Sequence, residues 1–258
     1  MIDLTGRKAL VTGATGGIGE SIARQLHALG ATVGLHGTRV EKLESLAADL
    51  GDRVVLLPAN LSDRDAVKEL GRKAEAELEG VDILVNNAGI TRDGLFVRMS
   101  DADWDAVMEV NLTAVFRLTR ELTHPMMRRR FGRIVNITSG SVKQPIPGLD
   151  LSSGARAGLT AFVAGVTPKY LDRNVTINNL LPGMFATDRL DSLISAAMKS
   201  TGKPKDEVEA ERRGAIPAKR FGKPEEFGKT CAFLCSAYAG YIANQNVLID
   251  GGRYPGCW

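Results

Sequence analysis

A glycine-rich string, TGATGGIG, occupies Thr12–Gly19 and directly follows the short apolar run Lys8–Thr12. Glycines tolerate positive φ angles in a tight turn, and they let a backbone approach a pyrophosphate without obstruction by side chains. A helix that begins near Gly17 would then present free backbone N–H groups to phosphate oxygens. The string alone would also fit a simple tight turn, but its position between a strand and a helix indicates a dinucleotide site.

The end of the second strand-like run, Ala31–His36, bears on which nicotinamide dinucleotide would bind. An acidic residue at this point would bind the ribose hydroxyls of NAD and repel a 2′-phosphate, and residues 31–40 contain none. Thr38 and Arg39 instead supply a hydroxyl and a cation, which suit a phosphate. Arg39 could also be an ordinary solvated charge, but the missing acid independently favours NADP(H).

Neither a metal site nor a disulfide is indicated. The cysteines are Cys231 and Cys235, one helical turn apart, and Cys257 beside the C-terminus. No histidine or further cysteine stands at metal-ligand spacing, so idle thiols in a reducing compartment are the better interpretation. The stretch Met1–Gly13 lacks the regions of a signal peptide, and no apolar run reaches membrane-spanning length. We therefore expect a cytoplasmic protein without a metal.

The elements that must position these residues alternate along the chain. Apolar runs with strand character are Lys8–Thr12, Ala31–His36, Arg53–Pro58, Asp82–Asn86, Arg133–Thr138, Val175–Leu181 and Asn246–Asp250. Amphipathic stretches separate them, as at Gly17–Leu29, Val40–Leu50 and Asp63–Leu78. Continuous apolar strands are buried on both faces, and their alternation with helices indicates βαβ units. We expect an α/β, Rossmann-type, doubly wound parallel sheet that binds ligands beyond the carboxyl ends of its strands.

The chain of 258 residues has a size that fits one large α/β domain with a full core. No repeat, low-complexity tract or linker divides it, so residues 1–258 are expected to form a single domain. The charged, helical segment Asp191–Lys219 is typical of an insertion over the sheet rather than of a second domain. The formal net charge of +3 is close to balance and does not indicate a nucleic-acid partner.

Further motifs follow the glycine string. They are NNAG at Asn86–Gly89, Asn111 in NLTAVF, Ser139 in NITS and PGMFAT at Pro182–Thr187. In this order and spacing, and over the whole chain, they resemble the short-chain dehydrogenase/reductase superfamily. Residues 1–139 are similar in particular to 3-oxoacyl-[acyl-carrier-protein] reductases. The resemblance implies an open seven-stranded sheet with a cofactor half over about 1–139 and a catalytic and substrate half over about 140–258.

The resemblance also implies an activity and site residues. It implies NADPH-dependent reduction of a 3-oxoacyl thioester to the 3-hydroxyacyl thioester, as in fatty acid synthesis, by a homotetramer. Asn111 and Ser139 match two members of a catalytic tetrad. Arg130 and Arg173 match positions that receive the acidic carrier protein, although either arginine alone could be a solvated surface charge. The candidate cofactor-binding residues are Gly13, Thr15, Gly17, Ile18, Gly19, Thr38, Arg39, Asn60, Leu61, Asn87, Ala88, Gly89, Arg156, Pro182, Gly183 and Thr187.

Two catalytic positions depart from the family pattern. The family has a tyrosine thirteen residues after the serine and a lysine four residues later, and counting from Ser139 places Ser152 and Arg156 there. The segment ARAGL, Ala155–Leu159, matches the family's AKAGL and so fixes the alignment of Ser152 and Arg156 with the family's tyrosine and lysine. The four tyrosines of the chain do not keep the spacing: Tyr170, Tyr238, Tyr241 and Tyr254.

The departure concerns the proton that a reduced carbonyl oxygen must receive. In the family, the tyrosine supplies that proton, and the lysine lowers the tyrosine pKa from about 10 and binds the nicotinamide ribose. A serine hydroxyl is a far weaker acid, and an arginine keeps its charge at working pH. Arg156 could still bind the ribose or stabilise an oxyanion, directly or through water, while Ser139 donates to the carbonyl.

Three interpretations of the sequence remain open. The chain is a working reductase in which Arg156, Ser152 and water replace the tyrosine and lysine, or it is a cofactor-binding scaffold or regulatory protein with little turnover. The type of sequence changes after Ser139, and this raises a third interpretation. In it, the chain is a composite of an ordinary reductase up to about Ser139 and the second half of a divergent relative. Two long helices are expected, one from about Trp104 to Arg130 and one over Ser152–Leu171, in which Pro168 should cause a kink or an end. Both should pack against other subunits.

Overall fold

A computed structural model describes residues 2–92, 94 and 96–256 of the chain. In this part of the chain, seven parallel strands form one sheet in the order β3-β2-β1-β4-β5-β6-β7. The strands are β1 (Lys8–Val11), β2 (Thr32–Leu35), β3 (Val54–Leu56), β4 (Ile83–Asn86), β5 (Gly132–Ile137), β6 (Val175–Pro182) and β7 (Asn246–Ile249). The predicted doubly wound sheet is therefore confirmed, and each predicted strand is present with ends shifted by one or two residues at most.

Helices connect the strands. They are α1 (Gly17–Ala28), α2 (Val40–Leu50), α3 (Arg64–Glu77), α4 (Asp101–Met108), α5 (Ala114–Arg129), α6 (Asp150–Val166), α7 (Asp188–Thr201), α8 (Lys205–Gly214) and α9 (Pro224–Cys235). Each early helix begins close to its predicted start because the local signals are clear. At α3, for example, the Asp63 carboxylate accepts hydrogen bonds from the backbone N–H groups of Asp65 and Ala66 and so caps the helix.

Two apolar layers cover the two faces of the sheet. Helices α1, α2 and α9 pack on one face, where Ile22, Leu43 and Phe227 are fully buried. Helices α3 and α5 pack on the other face, where Val67 and Leu118 are buried. Because both faces are covered, the strands are apolar along most of their length, as a parallel sheet requires. Their carboxyl ends remain available for a ligand site.

The helix expected over Ser152–Leu171 was predicted to extend too far at its C-terminal end. Helix α6 ends at Val166, and Pro168 lies in the separate 3₁₀ turn Thr167–Lys169. Proline lacks a backbone N–H and clashes with the preceding helical turn, so the α-helical hydrogen bonding stops before it. The proline therefore ends the helix rather than kinking it.

The long helix expected from Trp104 to Arg130 is also corrected. It starts earlier, at Asp101, and a π-helical turn at Glu109–Thr113 separates α4 from α5. A π-helical turn contains one more residue than an α-helical turn and commonly occurs at functional sites. Asn111 lies in the middle of this turn.

Helices α7 and α8 overlap most of the segment Asp191–Lys219 that was expected to form an insertion, and α7 begins at Asp188. The two helices pack on each other through Leu190, Ile194 and Val208, a small apolar cluster separate from the two main layers. In the described ranges, no helix combines the length and the apolar character that crossing a membrane requires.

Candidate functional site

The glycine loop joins β1 to α1. Gly13 and Gly17 have φ angles of +66° and +54°, which side-chain-bearing residues rarely adopt. A Cβ on Gly13 would lie 2.9 Å from the Cα of Ala88, and a Cβ on Gly19 would lie 2.1 Å from the carbonyl oxygen of Gly13. The loop therefore closes onto β4 and onto its own helix only because these positions lack side chains.

Three polar side chains hold this loop in place. The Asn87 Nδ2 donates to the carbonyls of Thr12 and Gly13 at 2.9 and 3.0 Å. The Thr12 Oγ1 accepts from the backbone N–H groups of Asn87 and Ala88 at 2.9 and 3.0 Å. The His36 Nδ1 accepts from the Gly13 N–H at 3.3 Å. The backbone N–H and C=O groups of the loop thus have fixed directions before any ligand arrives.

His36 was not identified from the sequence, where it is one residue at the end of an apolar run. The His36 Nε2 lies 3.1 Å from the carbonyl oxygen of Ala59, so Nε2 carries the proton and Nδ1 is free to accept from Gly13. Burial lowers the pKa of His36 to about 4, and the hydrogen bond to Ala59 opposes this shift. The imidazole is therefore neutral at physiological pH.

A cleft of about 570 Å³ opens above the carboxyl ends of the central strands. Its lining includes these candidate cofactor-binding residues: Gly13, Thr15, Gly17, Ile18, Thr38, Arg39, Asn60, Leu61, Asn87, Ala88, Gly89 and Thr187. The donor set, the side-chain-free loop and the size of the cleft fit a dinucleotide. Of the remaining candidates, Gly19 lies behind the loop, where it closes the helix onto the strand.

Arg39 lies at the rim of this cleft, just after β2. Its Nη2 donates to both the carbonyl oxygen and the Oγ1 of Thr15 at 2.9 Å. A Cβ on Gly16 would be 3.5 Å from the same nitrogen. The guanidinium is therefore held beside the glycine loop, within the cleft that also contains Thr38.

The segment after β6 returns the chain to the glycine loop. At Gly183, which follows Pro182, a Cβ would lie 2.6 Å from the Cα of Asp250, so the chain passes closely against the end of β7. Thr187 is the N-cap residue of α7. Its Cγ2 lies 3.4 Å from the position that a Cβ on Gly17 would take, so this residue forms the opposite wall of the cleft.

Asn111 is fully buried in the π-helical turn. Its Oδ1 accepts from the Ile90 N–H at 2.9 Å, and its Nδ2 donates to the Ile90 carbonyl at 2.8 Å. This paired contact fixes the chain that leaves β4, and Ile90 itself lines the cleft. In this structure, Asn111 thus holds the floor of the cleft.

Ser152 and Arg156 lie one turn apart on α6, as the sequence predicts, and Ser152 is 6% exposed. The Arg156 Nη1 donates to the carbonyl oxygen of Ile137 at 2.6 Å, at the end of β5. The Arg156 Nη2 lies 2.5 Å from the position that a Cβ on Gly89 would take, and the Asn111 Oδ1 lies 3.1 Å from that position. Arg156 and Asn111 therefore meet at the side of Gly89 that a side chain would otherwise occupy.

The Arg156 guanidinium carries a charge in an unfavourable environment. Burial lowers its pKa from 12.5 to about 10, and the like charge of Arg189 contributes to the same shift. The pKa still lies well above neutrality, so the group is protonated at pH 7. Ser139 follows Ile137, the residue whose carbonyl accepts from Arg156, by two residues in the chain. The Ser139 Oγ accepts from the Ser141 N–H at 3.0 Å.

Arg189 was missed by sequence reasoning. It is the second residue of α7, and it lines the cleft. Its Nη1 donates to the Oγ1 of Thr91 at 2.9 Å, two residues beyond Gly89. Its position follows from the long-range packing of α7, and no local pattern in the sequence indicates it.

The two arginines expected to receive a carrier protein lie together on the surface. Arg130 donates to the carbonyl oxygen of Asp172 at 3.4 Å, and the Arg173 Nε donates to the Asp172 carboxylate at 3.1 Å. Both arginines are exposed. They form one positively charged area around Asp172 rather than two separate ones.

Cys231 and Cys235 do not line the cleft. Cys231 and Cys235 are buried free thiols of α9, and the neighbouring Cys235 together with burial raises the pKa of Cys231. Cys257 lies outside the described residues. Over residues 2–92, 94 and 96–256, no group of three His, Cys, Asp or Glu side chains has a metal-binding arrangement.

The chain is similar in sequence to known proteins over most of its length. A family model described as short chain dehydrogenase matches residues 7–197. The chain is 59% identical to a Nodulation protein G of Rhizobium sp. (strain N33) over 252 residues, or 98% of either chain. It is 39% identical to the 3-oxoacyl-[acyl-carrier-protein] reductase FabG of Rickettsia bellii, again over 98% of both chains. The cofactor half and the catalytic and substrate half of this sequence therefore occur together in each of these relatives.

Similarity to solved structures extends over the same length. The structure of YwfH, an NADPH-dependent reductase involved in bacilysin biosynthesis, superposes with a TM-score of 0.92. The two chains are 28% identical, and the match covers 97% of this chain and 99% of YwfH. Nearly the whole fold thus has a close counterpart in a known reductase.

Proposed function

Because the chain belongs to the short-chain dehydrogenase/reductase family, we propose that it is an NADP(H)-dependent reductase of 3-oxoacyl thioesters with a slowed proton transfer. The observation that carries this proposal is the convergence of Asn111 and Arg156 on Gly89, at the floor of a cleft whose walls are the candidate cofactor-binding residues. A nicotinamide cofactor bound there supplies the hydride for carbonyl reduction.

The preference for NADP(H) rests on Arg39. Its guanidinium is fixed beside the glycine loop by Thr15, and residues 31–40 contain no carboxylate that would repel a 2′-phosphate. A charge-assisted hydrogen bond to a phosphate contributes about 1.5–3 kcal/mol. We expect Arg39→Ala to weaken NADPH binding by that amount and to leave NADH binding nearly unchanged in a fluorescence titration. Equal affinity of the parent protein for the two cofactors would contradict this assignment.

Arg156 has the central role in the proposed mechanism. Its protonated guanidinium places a fixed positive charge beside the point at which negative charge develops on the carbonyl oxygen. Preorganised charge of this kind lowers the barrier to reduction of the carbonyl. Because its pKa is about 10, Arg156 retains its own proton at pH 7, so the proton that completes the alcohol comes from water.

The rate is expected to be low for the same reason. Ser152 is buried and is a much weaker acid than tyrosine. Loss of a positioned general acid typically costs about 10²–10⁴ in rate. Cofactor binding should be retained, because the glycine loop and its supporting hydrogen bonds do not involve Ser152.

The test is single-turnover oxidation of NADPH with an acetoacetyl thioester, comparing the parent protein with the double variant Ser152→Tyr/Arg156→Lys. The double variant should react at least about 10²-fold faster than the parent, since it regains a general acid and the lysine that lowers its pKa. Ser152→Tyr alone is the matched control and should gain less, because arginine differs from lysine in length and shape.

Two results would contradict this function. A parent rate equal to that of ordinary reductases would show that the proton transfer is not slowed. No turnover by the parent or the double variant, with NADPH still bound, would favour the second candidate, a cofactor-binding scaffold with little turnover. The burial of Ser152, the residue at the position of the family's proton donor, is the observation that favours that candidate.

A further inference from the structure

The π-helical turn at Glu109–Thr113 is an uncommon local structure that holds a residue of the site. Its backbone has the longer hydrogen bond typical of such a turn, since the Ala114 N–H donates to the carbonyl oxygen of Glu109, five residues back. Asn111 lies in this turn, and its paired bonds to Ile90 fix a part of the chain that lines the cleft. Because π-helical turns are rare, we expect side-chain contacts to favour this one over a continuous α-helix.

An ion pair spans the turn. The Glu109 carboxylate accepts from the guanidinium of Arg117, eight residues further along the chain. Each of these side chains has only 17% of its surface exposed. A second cation, Arg64 of α3, lies 3.6 Å from the same carboxylate, but most of its side chain is exposed. The pair of Glu109 with Arg117 is therefore the better shielded contact, and solvent and salt weaken it less than an ordinary surface pair.

The alignment of this pair depends on the π-helical geometry. In an α-helix, residues eight apart differ by about 80° around the axis, so they lie on different sides. The π-helical turn contains one more residue, so eight residues here have the rotation of about seven α-helical steps, and Glu109 and Arg117 come within about 20° of each other. Long helical side chains also lean towards the N-terminus, which directs Arg117 back to Glu109. The pair therefore forms more readily with the extra residue than without it.

A hydroxyl makes a second contact across the turn. The Thr113 Oγ1 donates to the carbonyl oxygen of Met108 at 3.2 Å. This side-chain bond spans five residues, the same spacing as the backbone bond from Ala114 to Glu109. Two side-chain contacts, one ionic and one neutral, thus bridge the turn that contains Asn111.

We propose that the ion pair of Glu109 with Arg117 is a positioning device for Asn111. The pair, together with the Thr113 hydroxyl, maintains the π-helical turn, and the turn keeps Asn111 bonded to Ile90. If the turn relaxed to a continuous α-helix, its two flanking segments would rotate by about 100° relative to each other, and Asn111 would lose its alignment with the chain that follows β4. The inference rests on the proposed function for the part that the cleft plays in reduction, and it adds residues that control the geometry of the cleft.

The test is hydrogen exchange of the Ile90 amide, which donates to the Asn111 Oδ1, measured by NMR on protein with isotope-labelled isoleucine. In Glu109→Gln, this amide should exchange about 10-fold faster than in the parent, because loss of a charge-assisted contact makes local opening easier. The amide of Ile134, a buried residue of β5, is the internal reference and should exchange at the parent rate. An equal increase at both amides would indicate a general loss of stability and would reject the proposal.

Further variants separate the ion pair from other effects. Arg117→Lys retains the charge and should exchange nearly as the parent does, whereas Arg117→Gln should match Glu109→Gln. Combining the two glutamine substitutions should add little to either one, because both remove the same contact. Glu121→Gln is the matched control on α5: its carboxylate lies 3.9 Å from Arg72, and its loss should leave the Ile90 amide unchanged.

Several results would overturn the proposal. These are an unchanged exchange rate of the Ile90 amide in Glu109→Gln and additive effects in the double variant. Should Glu109→Gln yield no folded protein, Thr113→Val makes the same test, because it keeps the size of the side chain and removes only the hydroxyl. An unchanged rate there would count equally against the proposal.

Failure of this inference is distinguishable from failure of the proposed function, because hydrogen exchange needs no turnover. Faster exchange of Ile90 in Glu109→Gln, with no oxidation of NADPH by the parent, would retain the support of Asn111 and reject the reductase. In a working reductase, Glu109→Gln should lower the single-turnover rate with an acetoacetyl thioester about 10-fold at unchanged NADPH affinity. A parent-like rate despite faster exchange would retain the reductase and reject the positioning role.

Discussion

At the scale of single residues, the cleft depends on side chains whose protonation states are fixed by their surroundings. His36 is neutral and accepts a hydrogen bond from Gly13, whereas Arg156 is charged although it is largely removed from water. The first supports the glycine loop, and the second places positive charge against Gly89, which lines the cleft. Burial of either side chain has a desolvation cost, which its hydrogen bonds to the main chain offset in part.

His36 should make the stability of the protein sensitive to acid. Its pKa is about 4 in the folded protein against 6.5 ordinarily, so the unfolded chain binds a proton more readily. Its contribution to stability is therefore complete above pH 6.5 and is lost progressively as the pH falls towards 4. The parent should be less stable at pH 5 than at pH 7 by about 2 kcal/mol through this residue.

Urea unfolding at the two pH values measures this effect, and His36→Gln should remove it, because glutamine does not titrate. The matched control is His124→Gln, which removes an exposed histidine of α5 and should leave the parent's pH dependence in place. An unchanged pH dependence in His36→Gln would show that this imidazole is not held neutral in the folded state.

At the scale of elements, a ladder of asparagines connects the second half of the sheet. Asn86, Asn136, Asn179 and Asn246 stand in register on β4, β5, β6 and β7. Successive side chains along this row are joined by hydrogen bonds of 2.9, 3.1 and 2.8 Å. Each bond satisfies a polar group inside the sheet layers, and together they fix the register of strands that carry the catalytic half of the cleft.

Asn136→Ala should test the ladder. It removes two side-chain hydrogen bonds and leaves buried polar groups of Asn86 and Asn179 without those partners, so the free energy of unfolding should fall by about 2–4 kcal/mol. Asn246→Ala, at the partly exposed end of the ladder, is the control and should cost less. Equal losses for the two variants in urea unfolding would show that the two ladder bonds of Asn136 contribute no more than the single bond of Asn246, and would contradict the prediction.

At the scale of the whole molecule, α6 has one buried face and one exposed face. The exposed face carries small residues at Gly154, Ala157, Gly158 and Ala161, which lie on one side of the helix by their spacing. Beside it, Phe116 of α5 and Phe162 of α6 form an edge-to-face ring pair with centroids 5.4 Å apart. Such a face allows two helices to approach closely, and it lies on the helix that carries Ser152 and Arg156.

We expect a homotetramer in which α5 and α6 pack against neighbouring subunits. Ala161→Arg should introduce a long charged side chain into that contact and shift the protein to smaller species in sedimentation velocity at micromolar concentration. Ala48→Arg, on the exposed surface of α2, is the matched control and should leave the assembly unchanged. A monomeric parent protein would contradict the expectation.

The sequence by itself determined the features that depend on local patterns. Strand positions follow from continuous apolar runs, the glycine loop follows from residues without side chains between a strand and a helix, and the positions of Ser152 and Arg156 follow from a fixed spacing to Ser139. The physical reason is that these signals lie within one or two consecutive elements. At Pro168 the sequence left a kink and an end of the helix both open, and the structure shows the end.

Only the tertiary structure decided which distant residues meet. The contact of His36 with Gly13, the paired bonds of Asn111 to Ile90 and the bond of Arg189 to Thr91 each join different elements of the chain. The alignment of four asparagines across four strands is of the same kind. Such contacts depend on the register of the sheet and on how the helices pack over it, and neither can be read from the spacing of residues in a single stretch of sequence.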